Sequence, residues 1–97
     1  MLDFSKPREF DWDDGNIVKN LIKHDISCRE SEEVFLDDKL VILEDEKHST
    51  EEKRYLIIGK NFEGKILTIV FTNRNKKIRI ISARIADKKE RRLYEQS

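Results

Sequence analysis

Ninety-seven residues give room for a single domain spanning 1–97 with one modest core, and a chain 37% hydrophobic and 41% charged keeps a strongly polar surface. No apolar run nears the roughly 20 residues of a membrane span, the start MLDFSKPREF has no apolar signal region, and the lone Cys28 excludes an internal disulfide or a cysteine-built zinc cluster. The net charge of zero hides a split: residues 1–50 carry a balance of −7 and residues 51–97 a balance of +7, so the second half is where an anionic partner would dock.

In chain order, Phe10-Asp11-Trp12 suits a short edge strand. Asp13 or Asp14 caps a helix expected to run to about Asp25, with Ile17, Val18, Leu21 and Ile22 as its apolar stripe. Ser27 and Glu30 have capping-box spacing, which predicts a second helix over about 28 to 37 that buries Cys28, Ser31, Val34 and Phe35. The period then changes. Leu40–Leu43, Tyr55–Ile58, Ile66–Thr72 and Ile78–Ile85 read as strands, and the short polar breaks Asn61–Gly64 and Asn73–Lys76 favour antiparallel pairing of successive strands. Asp87 with Glu90 opens a last, basic helix over 87 to 96. The order predicts an α+β sandwich whose helices cover one sheet face and leave the other partly open.

On the third of these strands Leu67, Ile69 and Phe71 share the expected core face, while Thr68, Val70 and Thr72 share the other. The fourth is harder to place, because strict alternation sends Arg79 and Arg84 to opposite faces. They reach one face only if the strand bulges or ends between them. A buried guanidinium without a partner is too costly to keep, so these arginines either pair with carboxylates or border a site that binds anions.

The blocks FDWDDGN, NLIKHDIS, SEEVFLDD, KHSTEEKRYLIIG, IVFTNRNKKIRIISARIA and ERRLYE, in that order over about residues 10 to 95, resemble the BrnT family of ribonuclease toxins from type II toxin–antitoxin pairs. Asp25 stands where the family usually has glycine, and Ile85 where a second arginine often follows SAR. The resemblance implies a RelE-like fold: a small antiparallel sheet with two N-terminal helices and a C-terminal helix. It also implies a cytoplasmic RNase neutralised by a BrnA-like antitoxin dimer, with DNA contact made only through that antitoxin.

RNA cleavage without a metal needs a base for the 2′-hydroxyl, cations around the phosphorane and an acid for the leaving 5′-oxygen. With this resemblance, the expected catalytic set is His48, Arg54, Arg79, Arg84 and His24, and the expected RNA-lining set is Lys23, Tyr55, Thr72, Arg74, Ser82 and Tyr94. No cofactor is expected, and the scattered histidines and acids lack metal-ligand spacing.

Each residue also has a plainer reading. His24 fits a helix-end histidine bonded to a carbonyl, His48 a solvated loop, and Arg54 an ion pair with Glu52 or an acidic helix. Tyr55 fits the core, Glu90, Arg91, Arg92 and Tyr94 a solvated helix, and Cys28 a small buried hydrophobe. Structural arginines at 79 and 84 would find partners among Asp11, Asp13 and Glu33. Two other functions fit the same cations: a non-catalytic RNA-binding module, and a remnant that only binds antitoxin.

Overall fold

A computed structural model describes residues 9–12, 26–48, 52–74 and 76–96. The first expected helix lies outside them, and with it Lys23 and His24. The described chain runs β1 (Glu9–Phe10), α1 (Cys28–Val34), β2 (Val41–Glu44), a 3-10 turn (Glu46–His48), β3 (Arg54–Lys60), β4 (Ile66–Arg74), β5 (Lys77–Ile85) and α2 (Lys88–Glu95). Five strands form one sheet in the order β1-β5-β4-β3-β2. The sheet is mixed, not antiparallel throughout: β1 runs parallel to β5, pairing Glu9 with Lys77 and Phe10 with Ile78. A tight turn forces antiparallel pairing. No such turn joins β1 to β5, which are separated by the whole of the chain between them.

Both capping boxes form as their spacing predicts. Ser27 accepts from the Glu30 N–H and Asp87 from the Glu90 N–H, and each glutamate reaches back to its cap. Ser31, Val34 and Phe35 are buried as expected, but Cys28 is only half-buried and α1 stops at Val34.

One face of the sheet carries the larger core. Ile57 of β3, Leu67, Ile69 and Phe71 of β4, and Ile78, Ile80 and Ala83 of β5 pack with Ile26, Val34 and Phe35 from the α1 segment. A chain of rings crosses it: Phe10 lies edge-on to Phe35 at 5.2 Å, Phe35 edge-on to Phe71 at 5.1 Å, and Tyr55 stacks on Phe71 at 5.5 Å. Gly59 permits the close approach of β3 to α1, since a Cβ there would stand 2.9 Å from Val34 Cγ1.

The second face is not simply open. Ile58, Ala86 and Tyr94 form a smaller cluster with Val41 and Ile66, so α2 roofs one end of that face while α1 covers the other face. The apolar end of the second face supplies the reason, because Ile58 and Ile66 need a cover that α1 cannot provide from across the sheet.

Candidate functional site

The register between β4 and β5 shifts at Val70/Phe71: Val70 pairs with Ser82 but Phe71 with Ile80, leaving Ile81 as an extra residue. Such a bulge reverses the alternation beyond it. Ile78, Ile80 and Ala83 therefore all face the core, while Arg79, Ser82 and Arg84 all face the other way. The condition for bringing both arginines to one face is met.

Cross-strand pairing then arranges the second face as three rows. The first is Val41, Ile58, Thr68 and Arg84, beneath α2. The middle row is Leu43, Leu56, Val70 and Ser82, all partly or largely exposed, a mildly apolar shelf. The third row is Arg54, Thr72 and Arg79. Strands lie about 4.8 Å apart, so the Cα atoms of Arg54 and Arg79 stand about 10 Å apart with Thr72 between them. Thr72 itself is buried, and its hydroxyl donates to the Lys53 carbonyl at 2.7 Å, which pins the start of β3. At one end of the row Asp11 Oδ2 lies 3.6 Å from Arg79, and at the other the Asp45 backbone N–H donates to the Arg54 carbonyl.

Arg84 stands four residues along the strand from the third row, about 13 Å away. Its guanidinium forms a fork on Glu90, with Nη1 and Nη2 at 2.6 and 2.7 Å from the two carboxylate oxygens. That fork raises the arginine's pKa further. Burial pushes the Glu90 carboxyl up, but the bonds from Arg84 and the Asp87 N–H, with the nearby Thr68 hydroxyl, outweigh it and hold the carboxyl below its usual range. The Thr68 hydroxyl approaches Glu90 without reaching hydrogen-bond geometry to any group. Glu90 is therefore a buried anchor of α2 and not part of a solvated helix face.

The other expected residues are scattered. Ser82 sits on the shelf. Arg74 lies at the exposed end of β4, bonded to Glu52 at 2.8 Å, so Glu52 serves Arg74. Tyr55 faces the larger core, stacked on Phe71, and does not line the arginine face, because it neighbours Arg54 in β3 and alternation sends it the other way. His48 ends the 3-10 turn between β2 and β3; its side chain lies outside the described residues. Among the described residues no cluster of three His, Cys, Asp or Glu side chains could hold a metal ion.

Tyr94 is buried, and its hydroxyl donates to Asp37 at 2.6 Å. Asp37, which sequence reasoning passed over, also accepts from the Lys60 N–H at 2.8 Å. It thereby caps β3 where β2 no longer pairs, and it ties α2 to the loop after α1. Asp-Asp just past a helix was the only available signal. Burial pushes the Asp37 carboxyl up, but the bonds from Tyr94, Lys39 and Lys60 bring it below the ordinary value. Burial first, and the Asp37 bond second, push the Tyr94 phenol up from 10.0 to about 12. A raised folded-state pKa means the bond stabilises fully below pH 10.0 and is lost as pH rises through about 12. Tyr94→Phe should cost roughly 1.5–3 kcal/mol at pH 8, as for bonds to charged groups. The gap from the parent should shrink above pH 10 in urea denaturation, and a constant gap would contradict this assignment.

With this geometry in view, comparison with family models gives a match over residues 12–90 to the ribonuclease toxin, BrnT, of type II toxin–antitoxin systems. The chain belongs to the BrnT family. The match spans β2 to β5 and the start of α2, so it includes all three rows of the second face. A BrnT protein is one member of a toxin–antitoxin system, so the family implies an antitoxin partner. No curated protein sequence matches. No described helix is long and apolar enough to cross a membrane.

Proposed function

We propose that this chain is an active endoribonuclease toxin that cleaves RNA on the second sheet face without a metal, inhibiting translation and growth in the cytoplasm. One observation carries the reading: the bulge at Ile81 turns Arg79 to the same face as Arg54, across Thr72. Two guanidiniums over one phosphodiester supply forked donors to its oxygens, and these strengthen as the phosphorane gains charge. The 2′-hydroxyl attacks the adjacent phosphorus and the 5′-oxygen leaves, giving a 2′,3′-cyclic phosphate. His48, close in sequence to Arg54, and His24 are the candidates for the proton transfers. Arg84 supports the face by holding α2, and the shelf of Leu43, Leu56, Val70 and Ser82 accommodates the nucleoside beside the phosphate.

The fold is RelE-like in this reading, with a further helix before Cys28. A BrnA-like antitoxin, acting as a dimer, covers the cationic row with acidic residues.

Inducible expression tests the proposal. Growth should stop and cellular RNA should fragment, co-expression of a BrnA-type antitoxin should restore growth, and His48→Ala should leave RNA intact. Growth arrest with intact RNA would favour a binding module that sequesters RNA without cleaving it.

A further inference from the structure

Arg79 and Arg84 share a face, but their carboxylates hold them differently. Arg84 closes a short fork on Glu90, whose side chain is 12% exposed and is also bonded to its cap. Arg79 meets Asp11 at 3.6 Å; the arginine side chain is 23% exposed, but that of Asp11 is 36% exposed, just beyond a two-residue edge strand. A contact at that distance to a carboxylate open to water is weaker than a short fork on a buried one, and salt screens it in part. The carboxylate of Asp11 is therefore exchangeable, whereas that of Glu90 is built in. The backbone of Asp11 does not depend on its side chain, because its N–H donates to the Ile78 carbonyl at 2.7 Å.

Geometry also favours exchange. Asp11 lies beside β5 at the sheet edge, three strand spacings or about 14 Å from Arg54, so it engages one arginine of the row. A phosphate over Thr72 engages two. We propose that Asp11 is an intrinsic competitor for the substrate: its carboxylate occupies Arg79 in the free protein and yields that arginine to a backbone phosphate when RNA binds. This rests on the reading of the second face as the RNA site. Asp11 thus lowers the affinity of the site modestly, and disfavours small monovalent anions more than polyanions that also reach Arg54.

The test is binding of a fully 2′-O-methylated oligoribonucleotide, which lacks the nucleophile and cannot be cleaved, followed by fluorescence anisotropy. Asp11→Asn should tighten binding about two- to five-fold at low salt, with the gain fading as salt screens the pair. Glu63→Gln removes the same charge from the exposed β3–β4 turn and should give no such gain. In an Arg79→Ala background the Asp11→Asn gain should vanish. Equal gains from Asp11→Asn and Glu63→Gln, or a gain that survives Arg79→Ala, would overturn the proposal. Binding that ignores Asp11→Asn would overturn the role of Asp11 alone, whereas no binding by any variant would overturn the RNA reading along with it.

Discussion

Arg79→Ala is expected to slow RNA cleavage by roughly 100- to 1,000-fold, the usual loss when one donor to developing negative charge is removed. Arg54→Ala should cost a similar factor, because the two arginines bracket Thr72 in one row. Arg79→Lys should be nearly as damaging as Arg79→Ala, since an ammonium cannot give a forked contact to two oxygens. Affinity for uncleavable RNA should fall much less, because the remaining cations supply most of the phosphate attraction. Single-turnover cleavage measured with EDTA present, with product ends identified as 2′,3′-cyclic phosphates, checks the chemistry. Activity that stops on chelation would point to a metal, and full activity in an Arg54→Ala, Arg79→Ala double variant would show the row to be structural.

The largest expected loss of stability comes from the ring chain beneath α1. Phe71 is fully buried between Phe35 and Tyr55, so Phe71→Ala removes the central link and leaves a cavity. Such truncations cost about 3–5 kcal/mol, a large share of the roughly 5–15 kcal/mol that holds a domain together. At about 4–8 °C per kcal/mol for a domain of this size, the melting temperature should fall by more than about 12 °C. Phe62→Ala is the matched control. Phe62 is 72% exposed in the β3–β4 turn, and its loss should stay within about 0.5 kcal/mol. Thermal unfolding followed by circular dichroism checks both, and equal shifts would show that the ring chain is not the centre of the core.

What was legible in the sequence was what local chemistry decides. Ser27 with Glu30, and Asp87 with Glu90, announce two helix starts by spacing alone, and both boxes form. The alternation of Leu67, Ile69 and Phe71 against its neighbours identifies the core face of β4, and all three are fully buried. The direction of β1 was not legible, because no turn connects it to its partner and parallel pairing leaves no local trace in two residues.

The facing of Arg79 was only half legible. The period-2 rule breaks at Ile81, and the buried spacing of Ile78, Ile80 and Ala83 becomes informative only when the small Ala83 is counted as core in place of the larger Ile81. The fork between Arg84 and Glu90, and the bond from Tyr94 to Asp37, join residues whose types suit a solvated surface equally well. Composition cannot separate an anchored helix from a free one. His24 and the side chain of His48 lie outside the described residues.

The sheet order has a consequence for how the molecule comes into being. β5 lies between β1 and β4, so the latest in sequence of the described strands is the one that sets Arg79 beside Thr72 and brings Asp11 to it. During translation, Arg54 emerges well before its counterpart. The cationic row therefore cannot form before β5 has been added between β1 and β4. Any product that stops short of β5 lacks Arg79, and with it the two-arginine row, whatever part of the sheet it forms.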